Sequence, residues 1–252
     1  MLAAQTVLYR GEGLEARLSW YGPGSDMAPH SHPYHQASIL LAGRLLERHG
    51  GRDREILQPS AGFKPAGLVH DNRYGADGAL VLAVNLDPAR PAGGLECAGW
   101  RWTACPPGHR AGELVALARE GGDAAADAVW DILAGMAGGP PKAPGAEPGW
   151  LARIRDRLAD PEDDAPIAAM AAEAGIHRVH LSRRFQAHHA VPPSVYRLRY
   201  RVSRALAMLA AGAMPSVAAI DAGFADQAHL SRAVKRQTGL TPGGFGRFLA
   251  AA

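Results

Sequence analysis

Two stretches in the last third of the chain carry side chains that can read DNA bases. Gly175–Phe185 reads GIHRVHLSRRF and Gly223–Val234 reads GFADQAHLSRAV. In each, a glycine turn precedes an amphipathic segment whose polar face carries Arg, Ser, His or Gln. Arg can bond guanine bidentately and Gln can bond adenine, each worth about 1–3 kcal/mol of discrimination. Because one amphipathic stretch joins the two copies, we predict a bipartite reader of two helix-turn-helix units.

The distribution of charge supports an interaction with a polyanion. From Ile167 to the end the chain has 11 Lys and Arg residues against three acidic residues. The whole chain of 252 residues carries only +3, so the remainder is net acidic. A basic end on an acidic body is typical of a nucleic-acid-binding domain fused to another domain. The alternative is a basic surface that is merely solvated.

A group of histidines in the first third has the spacing of a metal site. His30 and His32 lie two residues apart, and His70 follows a Pro-Ala-Gly turn. On a strand, residues two apart point to the same side, and His70 can approach from a neighbouring strand. Imidazoles bind divalent transition metals. Gln36 follows, but a neutral amide is a poorer metal ligand than a carboxylate, so structural or ligand-contacting roles of the histidines remain open. No acid–base pair is evident near the histidines, which argues against an enzyme.

The elements that hold these residues differ between the two ends of the chain. Residues 5–105 contain short apolar stretches between turn signals, which predicts a small β-barrel or sandwich. Residues 113–136 have helical spacing, and 138–149 form a Gly- and Pro-rich linker. From Trp150 onward every segment is helical, including a long connecting helix that begins at Pro193.

Residues 150–248 resemble the DNA-binding domain of the AraC/XylS family of bacterial transcription regulators. The first part of the matching pattern is Leu181-Ser182-Arg183-x-Phe185 followed by Pro193-x2-Tyr196-x4-Arg201-x3-Ala205-x3-Leu209. The second part is Gly223-Phe224-x-Asp226-Gln227-x-His229-Leu230-Ser231-Arg232-x2-Lys235-Arg236-x2-Gly239-x-Thr241-Pro242. The chain departs from the family pattern where Ala190 replaces a glycine, Val234 replaces an aromatic residue and Gly246 replaces a basic or aromatic residue.

This resemblance implies two recognition helices that enter successive segments of the major groove. The base-facing residues it implies are Arg178, Val179, Ser182 and Arg183 in the first unit and Gln227, Ala228, His229 and Arg232 in the second. The residues assigned to phosphate contacts, which position a protein without reading sequence, are Arg184, Arg199, Lys235 and Arg236.

The first third resembles the two motifs of the cupin barrel. The matching residues are Gly24-x5-His30-Ser31-His32-x3-Gln36-x6-Gly43 and Pro65-Ala66-Gly67-x2-His70. The resemblance implies one divalent metal on His30, His32, the Gln36 position and His70, and AraC-type sensor domains share this barrel. Among the aromatic residues that could line an effector pocket, or equally lie in the core, are Trp20, Tyr34 and Phe63.

These observations predict an α+β protein of several domains. A cupin-like sensor barrel (a double-stranded β-helix) spans residues 1–108, a helical connector and linker 109–149, and an all-α domain with two helix-turn-helix units 150–252. We expect a cytoplasmic, non-enzymatic transcription regulator that binds double-stranded DNA and is controlled by a small molecule or metal. We also expect a homodimer, an interaction with RNA polymerase and no membrane association. The alternative is a metal-dependent cupin enzyme fused to a DNA-binding domain.

Overall fold

A computed structural model of the protein describes residues 2–11, 13–57, 60–89, 99–104 and 145–251, with isolated positions between 112 and 134. The first part is an antiparallel β-sheet, which confirms the predicted β domain. Its strands are β1 (Leu2–Gly11), β2 (Leu14–Tyr21), β3 (Asp26–His30), β4 (His35–His49), β5 (Arg52–Leu57), β6 (Ser60–Lys64), β7 (His70–Leu86) and β8 (Arg101–Ala104).

Two long strands form the centre of this sheet. The order is β1-β2-β7-β4-β6-β8, while β3 pairs with β7 and β5 pairs with β4. β4 bends near Gly43, where the register with β7 shifts. Gly43 has a φ of +85°, and a Cβ atom there would lie 2.0 Å from the carbonyl oxygen of Gly78. Only glycine fits this bend, which lets one strand serve two parts of the sheet.

The last part of the chain is helical, as predicted. Its helices are α1 (Gly149–Ala159), α2 (Ile167–Glu173), α3 (Arg178–His189), α4 (Pro193–Ala210), α5 (Pro215–Asp221), α6 (Gln227–Thr238) and α7 (Pro242–Ala250). The predicted connector falls almost entirely outside the described residues. In the described ranges, no helix is long and apolar enough to cross a membrane.

Side-chain caps define where the helices of the second unit begin. The carboxylate of Asp226 accepts a hydrogen bond from the backbone N–H of His229 at 2.6 Å, which starts α6. The hydroxyl of Thr241 accepts one from the N–H of Gly244 at 3.0 Å, which starts α7. These caps satisfy N–H groups that have no partner within the helix.

The sheet and the second helix-turn-helix unit share one hydrophobic core. Residues of β2, β4 and β7 cluster with buried residues of α4, α5, α6 and α7. The rings of Trp20 and Phe245 meet edge to face, with centroids 5.2 Å apart. The first unit has a separate core, built from residues of α1, α2, α3 and α4.

One buried and one partly buried hydrogen bond accompany this shared core. The N–H of Gly43 donates to the hydroxyl oxygen of Ser203 at 2.7 Å. The side-chain amide of Gln237 donates to the carbonyl oxygen of Leu41 at 2.8 Å. Because a buried donor without an acceptor costs about 1–3 kcal/mol, these bonds favour one alignment of the sheet on the helices.

The end of α3 stores backbone strain that a single substitution should relieve. Ala190 caps α3 in the left-handed conformation, with a φ of 61°. This conformation costs a residue with a Cβ atom roughly 1–2 kcal/mol. We therefore expect Ala190→Gly to raise the free energy of unfolding by about 1 kcal/mol, measured by urea denaturation.

The matched control for this prediction is Ala187→Gly, the same chemical change at an exposed helical position of α3. Glycine in a helix interior is destabilising by roughly 0.5–1 kcal/mol, so this variant should shift the urea midpoint in the opposite direction. Equal destabilisation by both substitutions would contradict strain at Ala190.

Candidate functional site

The first helix-turn-helix unit consists of α2, a turn at Gly175, and α3. Leu181 and Phe185 are fully buried and anchor α3 on the core of this unit. Their spacing leaves the other side of the helix in solvent. The predicted reading residues lie there: Arg178, Val179, Arg183 and Arg184 are exposed and Ser182 is half-buried.

The second unit repeats this arrangement with α5, a turn at Gly223, and α6. Leu230, Ala233 and Val234 are buried and fix α6 on the shared core. The predicted residues on the opposite side are exposed, except for a half-buried His229 whose ring meets Phe224 edge to face: they are Gln227, Ala228, His229, Arg232, Lys235 and Arg236.

The cations of these two faces have no acidic partner among the described residues. Elsewhere in the helical part, Arg155, Arg157 and Arg201 form ion pairs of 2.5–2.8 Å with carboxylates. No such pair involves the six cations of the two reading faces within the described ranges, namely Arg178, Arg183, Arg184, Arg232, Lys235 and Arg236. These charges are therefore available to an external anion.

One predicted phosphate contact is wrong. Arg199 lies on α4 and is only 9% exposed. Helical spacing turns this position toward the protein together with Val202 and Ser203, which are also buried. Its guanidinium therefore cannot reach a DNA backbone.

The three predicted histidines converge in the β domain. One ligand nitrogen of each of His30, His32 and His70 lies within 4.8 Å of the others. His30 ends β3 and His70 begins β7, and the two strands pair at these residues. His32 lies in the loop after β3, so the expectation that both histidines of the first motif lie on one strand is wrong. The loop, not strand alternation, brings His32 to the cluster.

The hydrogen bonds of two imidazoles suit a metal ligand. The Nδ1 atoms of His30 and His70 lie 2.8 Å and 3.2 Å from the carbonyl oxygens of Ala28 and Leu68. A carbonyl can only accept, so in the neutral rings Nδ1 carries the proton and Nε2 presents a lone pair. Burial, with the nearby positive charge of Lys64, lowers the pKa of His70 to about 4. Burial and His30 do the same for His32, whose pKa is also about 4.

Gln36 is near the histidines but is engaged by other side chains. Its amide donates to the side-chain oxygen of Asn85 at 3.0 Å, and its carbonyl oxygen accepts from the hydroxyl of Ser38 at 3.2 Å. The structure thus gives Gln36 a role in the hydrogen-bond network of the sheet. Among the predicted ligands, the cluster that could hold a metal ion thus consists of His30, His32 and His70.

A buried ion pair beside His70 was missed by the sequence analysis. A carboxylate oxygen of Glu47 lies 3.0 Å from the Nζ of Lys64 and 3.8 Å from the Nε2 of His70. Its other oxygen accepts from the indole N–H groups of Trp100, at 2.8 Å, and Trp102. Burial raises the pKa of Glu47, but Lys64 and the two indoles outweigh it, so the pKa is lowered. The sequence does contain a signal for this ion pair, because Glu47 and Lys64 each place a charge within an apolar strand segment.

The histidines open into a cavity of about 260 Å³ on one face of the sheet. Tyr34 lines this cavity and stacks on His32. Trp20 and Phe63, the other two predicted pocket residues, do not line it, because both are buried on the opposite face of the sheet. Successive residues of a strand point to opposite faces of a sheet. Ser19 and Lys64 line the cavity, so their neighbours Trp20 and Phe63 point away from it.

The lowered pKa values of His32 and His70 predict a pH dependence of stability in metal-free protein. An unfolded chain takes up these protons near pH 6.5, whereas the folded chain does so near pH 4. Stability should therefore be complete above pH 6.5 and fall as the pH decreases from 6.5 to 4. We expect His32→Gln to reduce this loss, measured as urea midpoints between pH 7.5 and 4.5. Parallel curves for the two proteins would contradict the prediction.

Comparisons with known proteins agree with this architecture. A helix-turn-helix domain family matches residues 170–247. The chain has no match among curated proteins. It is similar to the C-terminal domain of AraT, a response regulator from Geobacillus stearothermophilus, with 19% identity, a TM-score of 0.37, and coverage of 40% of this chain and 85% of that one.

Two cupin structures are similar to the β domain. A cupin superfamily protein from Desulfitobacterium hafniense is 12% identical over 32% of this chain and 74% of its own, with a TM-score of 0.31. An RmlC-like cupin from Shewanella frigidimarina is 18% identical over 33% and 74%, with a TM-score of 0.31. The chain therefore carries an AraC-type helix-turn-helix domain at residues 170–247, preceded by an antiparallel β domain.

Proposed function

We propose that the protein is a sequence-specific transcription regulator that binds double-stranded DNA through both helix-turn-helix units. The observation that carries this proposal is the pair of exposed faces on α3 and α6, whose cations have no acidic partner among the described residues. Each face combines cations with hydrogen-bonding and small apolar side chains. That mixture suits a major groove, where bases offer donors, acceptors and methyl groups.

The residues of the two faces divide into reading and positioning roles. Arg178, Arg183, Gln227 and Arg232 contact base edges in this proposal, with His229 and Ser182 as further donors or acceptors. The methyl groups of Val179 and Ala228 contact thymine. Arg184, Lys235 and Arg236 neutralise phosphates and fix the register of the protein on the duplex.

We further propose that a small molecule or metal bound in the β domain controls DNA binding. The cavity and the core shared with the second unit lie on opposite faces of the same strands. A bound ligand shifts the equilibrium between two arrangements only if it binds them with different affinity. A homodimer would raise the affinity for paired DNA sites through effective concentration, and bound protein would then contact RNA polymerase.

The three histidines fit one divalent metal ion. Their ligand atoms are close together, and backbone carbonyls fix the tautomers of His30 and His70. A bound ion would supply positive charge and Lewis acidity at the wall of the cavity. Burial favours the neutral state of His32 and His70, and the carbonyl beside Nδ1 of His70 leaves the Nε2 lone pair of this ring available.

The alternative function, a metal-dependent cupin enzyme, is favoured by one observation. Glu47 gives the histidines an ionised carboxylate neighbour, which a proton-transfer reaction would need. Both oxygens of Glu47, however, are engaged by Lys64 and two indoles. This arrangement favours a fixed structural ion pair over a group that exchanges protons.

The base-reading proposal predicts a sequence-dependent effect of single arginines. A specific DNA site is first obtained by selecting, over several rounds, the genomic fragments that the protein retains. We expect Arg183→Ala and Arg232→Ala each to weaken binding to a selected fragment by about 5- to 150-fold, and less on a shuffled fragment. Lys235→Ala should weaken binding to both fragments alike and lower the salt dependence of binding.

The control for these variants is Arg52→Ala, an exposed arginine of the β domain. It should leave both dissociation constants unchanged at the same salt concentration. Equal losses on selected and shuffled fragments for Arg183→Ala and Arg232→Ala would show that these residues contact only phosphates.

The metal proposal predicts one ion per chain. Protein stripped with EDTA and titrated with Co²⁺ should bind one equivalent, detected by elemental analysis and by its absorption spectrum. We expect His70→Gln to lose this ion, because two imidazoles remain. His49→Gln, at a histidine of β4 whose Nδ1 contacts the carbonyl of Val69, should keep it. An unsubstituted protein that takes up no ion overturns the metal proposal and leaves the DNA-binding proposal intact.

A further inference from the structure

The cavity of the β domain has walls of two kinds. One end is apolar and aromatic, where the rings of Tyr21 and Tyr74 stack with centroids 4.1 Å apart beside Met27 and Leu45. The other end carries the three histidines and two cations, Lys64 and Arg17. No aspartate or glutamate is among the described side chains that line the cavity. Lys64 and Arg17 are each paired with a carboxylate outside this lining, Glu47 and Glu15. The lining itself therefore offers positively charged donors and no carboxylate that would repel an anionic ligand.

Lys64 presents a buried charge to this cavity. The residue is only 5% exposed, and the ion pair with Glu47 is the contact that compensates its charge. The ammonium group has three donors, so the bond to Glu47 leaves donor capacity on the cavity side. Because both oxygens of Glu47 are engaged, that carboxylate does not itself face a ligand. A ligand oxygen with negative charge is the strongest acceptor for such a donor.

Asn72 places an unpartnered acceptor in the same cavity as Lys64. Asn72 lies directly opposite Glu47 in the pairing of β4 with β7, and it lines the cavity. Opposed residues in a sheet have Cβ atoms about 4.5–5.5 Å apart, so Asn72 lies beside Glu47, whose carboxylate contacts Lys64. Asn72 is 7% exposed, and its side-chain oxygen has no hydrogen-bond partner among the described residues. This oxygen requires a donor, such as a hydroxyl group.

We infer that the cavity binds a small hydroxycarboxylate, whose carboxylate accepts from Lys64 and whose adjacent hydroxyl donates to the side-chain oxygen of Asn72. The inference rests on the proposed function, because it names the chemical class of the effector. The volume of about 260 Å³ limits the ligand to a small metabolite. The aromatic end accommodates an apolar substituent on the carbon that carries the hydroxyl.

Two matched series of compounds test the class of ligand. Lactate, propionate and propane-1,2-diol differ only in their polar groups, and mandelate, phenylacetate and 1-phenylethane-1,2-diol add a ring. Binding to the full chain is measured by calorimetry, after EDTA treatment and again with one equivalent of Zn²⁺. We expect a hydroxy acid to bind at least tenfold more tightly than its deoxy acid and its diol. Diols that bind as tightly as the acids, or no binding by either acid series in both metal states, overturn the inference.

Substitutions assign the two contacts. Asn72→Leu should lower the affinity for the hydroxy acid to that for the deoxy acid and leave the deoxy acid unchanged. Lys64→Met combined with Glu47→Gln removes both charges of the buried pair and should weaken binding of both acids at least tenfold. Its control, Arg48→Met combined with Asp71→Asn, removes an ion pair of 2.6 Å between β4 and β7 that does not line the cavity, and it should change neither affinity. If the buried double variant does not fold, Asn72→Leu alone decides: equal losses for both acids contradict the inference.

DNA binding by the same protein preparations separates this inference from the proposed function. Selected DNA that binds while no acid binds overturns only the class of effector. An acid that binds while no DNA fragment is selected overturns the regulator and leaves the ligand class standing. An acid that binds and changes the affinity for selected DNA supports both.

Discussion

Side-chain alternation along β2, β4 and β7 is the constraint on which the rest of this structure depends. Successive residues of a strand point to opposite faces of the sheet. In β2, Leu18 and Trp20 face the core shared with the helices, while Ser19 and Tyr21 line the cavity. β7 does the same with Leu80 and Leu82 on one face and Val81 on the other. One layer of strands therefore separates the cavity from the helices of the second helix-turn-helix unit.

This arrangement makes the two helix-turn-helix units unequal. The core of the second unit is continuous with the sheet, and Ser203 and Gln237 hydrogen-bond to the backbone of β4. The first unit packs on α1 and α2 and has a core of its own. Close-packed cores do not deform continuously, so a shift in the sheet has to move the second unit as a body or break its contacts. If a ligand in the cavity controls DNA binding as proposed, the second unit is the one in direct contact with the sheet, and the first unit is connected to it through α4.

The buried Glu47–Lys64 pair governs the chemistry of the cavity. Such a pair is weak evidence for stability, because desolvation offsets much of the attraction between the charges. Its effect is on geometry: two indoles and Lys64 fix the carboxylate, and Lys64 in turn presents its remaining donors toward the ligand. His70 lies beside the pair, and the positive charge of Lys64 adds to burial in keeping this imidazole neutral. The same cluster thus prepares both the metal ligands and the polar end of the cavity.

The sequence by itself determined the helical domain and its reading faces, because helix caps, glycine turns and the 3.6-residue period are local. Leu181 and Phe185 lie four residues apart in an amphipathic segment, and this spacing alone places them on one side of a helix and Arg183 on another. The β domain was predictable as a class, but its faces were not. Trp20 and Phe63 are as apolar as pocket aromatics, and only the register of the strands shows that they face away from the cavity. Glu47 and Lys64 are 17 residues apart and meet because β4 pairs with β6. Strands pair through backbone hydrogen bonds, which are the same for every residue type, so the side chains do not reveal which strands are neighbours. Tertiary structure decided the ion pair, the cavity and the shared core, because each depends on which strands lie side by side.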